Sequence, residues 1–247
     1  MSEAQEPRIV LRRLGLDDYQ DMRKAMVEAY AGSDTDPWDA QDIERLIGVF
    51  PEGQLCIEVD GFVAAIALAI IVDYNRFGDN HTFDQITGGH TFSTHDNDGD
   101  VLYGIEVFVH PKYRGMRLGR RLYDARKELC ENLNLRSIIA GGRIPNYEQY
   151  AGELTPRQYI DKVRQREIYD PTLTFQLAND FHSRKILRNY DPQDRQSHSY
   201  ATLLEWRNIY YDAEEQLVGA VRDNVRVGVV QWQMRSHGSL ESLVEQM

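Results

Sequence analysis

The chain has 247 residues, 42% hydrophobic and 27% charged, and its 28 Lys and Arg stand against 39 Asp and Glu for a formal net charge of −11. That length accommodates one generous domain or one domain plus a fragment, and the acidity opposes general binding to nucleic acid or an anionic membrane. No apolar run approaches the ~20 residues a bilayer requires, two cysteines do not make a disulfide framework, and MSEAQEPRIVLRRL carries no secretory pattern, so a soluble cytoplasmic protein is expected.

Ile9 to Leu14 reads as a strand, after which Asp17 is placed to cap a helix with Tyr19, Met22, Met26 and Ala29 at helical spacing. A second helix is expected after Asp36-Pro37, with Ile43, Leu46, Ile47 and Phe50 facing inward and Pro51 to Gly53 as its stop. QLCIEV and FVAAIALAIIV, separated by Asp60-Gly61, form a hairpin signal. Residues 73–100, rich in Gly, Asp, Asn and Thr, read as a long loop insertion, and a loop of that length serves more often as a lid or binding segment than as idle chain. VLYGIEVFVHP then forms a strand ended by Pro111. A helix follows from Gly119 to Leu133 with Leu122, Ala125, Leu129 and Leu133 on one face, then a strand from Arg136 to Ala140. Residues 145–171 read as a helical insertion in which Thr155 caps a helix opening at Pro156. LTFQLANDF gives a short helix, and HSRKILRNY and HSYATLLEW a last pair of strands. The order predicts an α/β (α+β) domain over 1–206, a mixed, mostly antiparallel sheet flanked by helices.

The strongest chemical signal is the junction between VFVHP and GRRLYDARKEL. From Tyr113 to Lys127 six basic residues accompany the single acid Asp124, an island of positive charge in an acidic protein. A helix start offers unsatisfied backbone N–H groups and partial positive charge, and small residues let a phosphate approach them. Arg114, Arg117, Arg120 and Arg121 add full charges, so the turn suits a phosphate or pyrophosphate, with a solvated basic face as the plainer alternative.

Here the sequence resembles the GNAT N-acetyltransferase superfamily. The family signature Q/R-x-x-G-x-G/A is matched by Arg114-Gly115-Met116-Arg117-Leu118-Gly119, preceded by Val109-His110-Pro111; Arg117 stands where the signature has its first glycine. The resemblance implies acetyl-coenzyme A as cosubstrate, with its pyrophosphate on the Arg114–Gly119 amides beside Arg120, its pantetheine along Val107, Phe108 and Val109, no metal, and direct transfer to an amine. Glu106 is then a candidate base, or a carboxylate that binds the substrate cation. Relatives place a tyrosine proton donor in the helix after the fifth strand; the matching stretch here, Phe175 to Phe181, has none. Tyr147, Tyr150, Tyr159 and Tyr169 are substitutes, of which Tyr169 is chosen.

His81, His90 and His95 share residues 73–100 with six aspartates, but their spacings match no zinc or calcium loop. The acidic segment better suits attraction of a cationic amine, small molecule or peptide, to the cleft. Cys56 and Cys130 read as core thiols. After a linker at 207–224, residues 225–247 resemble the first strand and helix of carbon-nitrogen hydrolases of the nitrilase superfamily, which implies a C-terminal hydrolase domain in a longer protein and no hydrolase chemistry from these residues. A non-catalytic acyl-coenzyme A-binding domain regulating that hydrolase is the alternative reading.

Overall fold

The structure, a computed structural model, describes residues 6–33 and 36–214. The chain divides into units 1–217 and 218–247, and every described residue belongs to the first. The expected strand and helix at 225–247 lie outside the described residues, as does most of the expected linker.

Seven strands form one sheet: β1 (Ile9–Arg13), β2 (Leu55–Val59), β3 (Phe62–Val72), β4 (Val101–Val109), β5 (Ser137–Arg143), β6 (His182–Leu187) and β7 (Ala201–Arg207), in the order β1-β2-β3-β4-β5-β7-β6. All neighbours are antiparallel except β4 and β5, which run parallel. β3 is buried along its length but for Phe62, as its unbroken apolar sequence requires of a strand covered on both faces. Its alternate residues separate into two cores. Leu68, Ile70 and Val72 join one with Met22, Met26, Ile43 and Leu46; Ala69 and Ile71 join the other with Tyr123, Cys130, Tyr159 and Leu173. Helices α1 (Tyr19–Ala29) and α2 (Ala40–Val49) therefore serve one core, while α4 (Leu118–Asn132), α5 (Pro156–Arg164) and α6 (Pro171–Leu177) serve the other.

Local capping differs from the sequence reading before α1. Asp18, not Asp17, closes the turn before α1, its carboxylate accepting from the Gly15 amide at 2.8 Å. α2 follows Asp36-Pro37 as expected and starts at Ala40, where Asp39 accepts from the Asp42 amide at 2.8 Å. Thr155 caps α5 as expected, in a reciprocal capping box with Gln158.

Residues 73–100 are not all loop. They contain the five-residue helix α3 (Phe83–Thr87), started by a Thr82/Gln85 capping box and ended by Gly88 in the left-handed region. The segment is anchored from inside: buried His81 meets the Gly78 carbonyl and the Tyr103 hydroxyl, each at 2.8 Å, and Tyr103 meets the Tyr190 hydroxyl at 2.9 Å. His95 Nδ1 accepts from the Ile71 amide at 3.1 Å.

α4 turns a different face inward than its leucines alone suggest. Leu118, Leu122, Tyr123, Arg126 and Cys130 are buried, whereas Leu133 is exposed. An arginine thus occupies a core position, for a reason that appears at β4. Cys56 and Cys130 are buried free thiols, and burial pushes both up to about 12, which keeps them protonated and unreactive.

Candidate active site

β4 and β5 pair over four positions, Val101↔Ser137 to Gly104↔Ala140, and then part, although β4 continues to Val109 and β5 to Arg143. The point of divergence coincides with a bulge. On the other side of β4 the register passes from Ala69↔Gly104 to Leu68↔Glu106, which leaves Ile105 as the extra residue. The bulge interrupts the ladder and frees two carbonyls, and Arg126 answers both: Nη2 donates to Leu68 O at 2.6 Å and to Glu106 O at 2.8 Å. Arg126 is 3% exposed, and burial lowers its pKa. Gly104 leaves room for it, since a Cβ there would meet Arg126 Nη1 at 3.0 Å.

Immediately beyond the bulge stands Glu106. Its Oε1 accepts from the Tyr30 hydroxyl at 2.6 Å and from the Val107 amide at 2.9 Å; its Oε2 accepts from Trp38 Nε1 at 3.3 Å. Burial, reinforced by the Glu106 charge, raises the Tyr30 pKa well above the ordinary phenol value, so Tyr30 stays protonated and donates. The guanidinium of Arg143 lies 6.0 Å from the Tyr30 ring centroid and is fixed by Asp194 through two 2.7 Å bonds. Burial opposes the charge of Arg143, but the Asp194 pair overrides it and raises the pKa. A carboxylate, a neutral phenol and an indole therefore converge where the sheet opens.

The basic turn lies at the far end of β4. His110 shapes it: Nδ1 accepts from the Lys112 amide at 3.1 Å, which leaves the proton on Nε2 to donate to Glu28 at 2.9 Å. Gly115 and Arg117 both take left-handed backbone, φ 89° and 59°, and Arg117 is the residue from which α4 starts. The family's glycine at this position has a conformational reason, and Arg117 adopts the same conformation at a cost of roughly 1–2 kcal/mol. The first amides of α4 are the ones a helix cannot pair internally. Arg114, Arg117, Arg120 and Arg121 are exposed around them. Gly119 is buried beneath the Phe175 ring, where a Cβ would come within 2.9 Å of it.

The structure thus brings Glu106, Val107, Phe108 and Val109 onto one strand that leads into the turn of Arg114, Gly115, Met116, Arg117, Leu118, Gly119 and Arg120. It does not bring Tyr169 into the Glu106 cluster. Tyr169 is 69% exposed, between α5 and α6. Tyr147 donates to the Leu154 carbonyl at 3.0 Å and Tyr159 to Asp170 at 2.7 Å, so both serve the helical insertion itself. Sequence reasoning missed Tyr30, Trp38, Arg126 and Arg143. The histidines of residues 73–100 go to separate partners, His90 to Asp42 at 3.3 Å, and no group of three metal-ligating side chains occurs among the described residues.

The Acetyltransferase (GNAT) family model matches residues 19–151, which span both the Glu106 cluster and the basic turn. The chain belongs to the GNAT acetyltransferase family. "Uncharacterized N-acetyltransferase YkwB" of Bacillus subtilis is 32% identical over 174 residues, 70% of this chain and 76% of that protein. "Probable hydrolase YhcX" of the same organism is 39% identical over 243 residues, 98% of this chain and 47% of that protein, so the GNAT chain spans about half the length of this relative. Among solved structures, the "GphF GNAT-like decarboxylase in complex with isobutyryl-CoA" aligns with TM-score 0.70 at 16% identity over 80% of this chain and 98% of that one, a likeness of fold. No helix among the described residues is long and apolar enough to cross a membrane.

Proposed function

We propose that this GNAT domain binds acetyl-coenzyme A and transfers the acetyl group directly to an amine, with Glu106 as the base. The observation that carries the reading is the parting of β4 from β5 at a bulge that sets a carboxylate at the mouth of the gap. The unpaired edge of β4 at Val107, Phe108 and Val109 suits the amide groups of a pantetheine arm. The left-handed Arg117 opens α4 beside Arg114 and Arg120, which suits a pyrophosphate at the α4 amides. The cosubstrate supplies the activated thioester: a cationic amine first gives up its ammonium proton, the neutral nitrogen bonds to the acetyl carbon, the C–S bond breaks to release coenzyme A as a thiolate that takes up a proton, and the nitrogen sheds its second proton.

The two oxygens of Glu106 are unequal. Oε1 is occupied by a short phenol bond and a backbone amide, while Oε2 holds one long indole bond. Oε2 therefore has lone-pair capacity to take the amine proton, directly or through water. Tyr30 and Trp38 are positioning residues that fix the carboxylate. The six aspartates of residues 73–100 favour approach of a cationic amine. The extra length of YhcX, named a probable hydrolase, is consistent with this chain being the acetyltransferase portion of a protein that continues into a carbon-nitrogen hydrolase of the nitrilase type.

Calorimetric titration with acetyl-coenzyme A tests the first half: binding by the wild type that is lost in Arg114→Ala/Arg117→Ala supports the turn, and a folded wild type that binds none overturns it. An amine screen tests the second half. Glu106→Gln should keep acetyl-coenzyme A binding and lower turnover by ~10²–10⁴-fold; unchanged turnover removes Glu106 from the chemistry.

A further inference from the structure

A second concentration of positive charge lies elsewhere in the domain. Among the described residues β6 is one of the two edge strands of the sheet, and it pairs with β7 through a register that skips Arg184. Against this edge, residues 80–82 and α5 help to enclose a cavity of about 570 Å³. Its lining holds five cationic side chains, Arg157 and Arg164 from α5 and Arg184, Lys185 and Arg188 from β6 and the residue that follows it, against one carboxylate, Asp161.

Two of these cations are already paired. Arg164 meets Asp161 at 3.2 Å, and Arg184 meets Glu205 at 3.2 Å and Asp79 at 3.4 Å. Arg157, Lys185 and Arg188 have no carboxylate partner among the described residues, although acids outnumber bases in the chain. Cations on an exposed edge can ward off strand pairing, and Lys185 alone would serve that purpose. Edge protection does not account for Arg157, which projects from a different element into the same hollow. Like charges gathered around one concavity repel one another unless an anion joins them. The volume is that of a small-ligand site, and guanidinium forks match phosphate oxygens in pairs.

We propose that the cavity between α5 and the β6 edge is a binding site for a small phosphate-bearing polyanion, held by Arg157, Lys185 and Arg188 and separate from the Arg114–Gly119 turn. The proposal does not depend on the acetyl-transfer reading, because the two sites share no residue.

Inorganic pyrophosphate is the probe, titrated calorimetrically into the whole chain at low salt. Arg157→Ala/Lys185→Ala/Arg188→Ala should weaken this binding at least tenfold, as loss of several charged hydrogen bonds requires. Arg114→Ala/Arg117→Ala should leave it in place. Arg157→Lys/Arg188→Lys, which keeps the charge, should cost only a few-fold and guards against misfolding as the cause. Equal binding by wild type and the triple alanine variant, or loss of all binding in Arg114→Ala/Arg117→Ala, overturns the proposal and leaves the edge cations as protection against strand pairing. Binding of citrate but not pyrophosphate at this edge overturns the phosphate assignment in favour of a polycarboxylate.

Discussion

Arg126→Met removes a guanidinium that closes the β4 bulge and replaces it with an apolar chain of similar length. The Leu68 and Glu106 carbonyls, now bonded to Nη2 at 2.6 and 2.8 Å, would be left unpaired in the core. Each buried orphan costs about 1–3 kcal/mol, so the loss is roughly 2–6 kcal/mol. Against this, the wild type already carries a buried Arg126 Nε without a hydrogen-bond partner, and removing that donor returns about 1–3 kcal/mol. The balance is a destabilisation of about 1–3 kcal/mol, which for a domain of this size lowers Tm by roughly 2–12 °C. Thermal unfolding followed by circular dichroism reads it directly. Arg126→Lys retains one donor and should fall between the two. The bulge also aims Glu106, so Arg126→Met should reduce amine turnover further than the Tm change alone implies. A variant with wild-type Tm and wild-type turnover would refute the assignment of Arg126 as the group that satisfies the bulge.

Arg117→Gly should raise Tm slightly, because relief of the left-handed residue, about 1–2 kcal/mol, exceeds the roughly 0.4–1 kcal/mol of added unfolded-state entropy; a lower Tm would show that the arginine side chain stabilises the turn. Gly119→Ala places a Cβ 2.9 Å from the Phe175 ring and should destabilise by about 1–3 kcal/mol, with much of the loss recovered in Gly119→Ala/Phe175→Leu; absence of rescue would mean that another contact demands the glycine. Burial holds the imidazoles of His81 and His95 below their ordinary pKa. The unfolded chain therefore binds more protons in the window below about 6.5, so the stability these groups contribute is complete above that pH and is lost as pH falls through it. Unfolding curves between pH 7.5 and 5 should show Tm falling with acidification, and His95→Asn should flatten the slope; an unchanged slope would place the acid sensitivity elsewhere.

The fold was legible because its signals are periodic. The apolar run of β3, the Asp60-Gly61 hairpin and the Thr155 cap each act within a few residues, and all seven strands fall where alternation and turn residues put them. Residues 73–100 misled for the opposite reason. Their composition is that of a loop, yet His81 reaches Tyr103 and Tyr190 in the core, and that tertiary anchor together with the Thr82/Gln85 box supports a helix. In α4 the leucine spacing alone does not give the buried face: Arg126 sits four residues from both Leu122 and Cys130, in line with the buried stripe. A charge at core spacing was the available signal.

The candidate site was half legible, and the division is physical. A turn suited to a phosphate is built from consecutive residues, so its glycines, arginines and helix start can be read in order along 114–120. A candidate carboxylate base is defined by what reaches it. Glu106 takes its side-chain donors from Tyr30, 76 residues away, and Trp38, 68 residues away, and neither the end of an amphipathic helix nor an aromatic beside an N-cap marks them as partners. The tyrosines of the helical insertion lie in the stretch where the resemblance implies a proton donor, whereas the phenol that contacts Glu106 comes from the end of α1. That placement changes what the phenol can do: with its proton committed to Glu106 Oε1 at 2.6 Å, Tyr30 fixes the carboxylate and, on the proposed function, leaves Oε2 to act as the base. Its removal should therefore act through the orientation of Glu106 and not through loss of an acid.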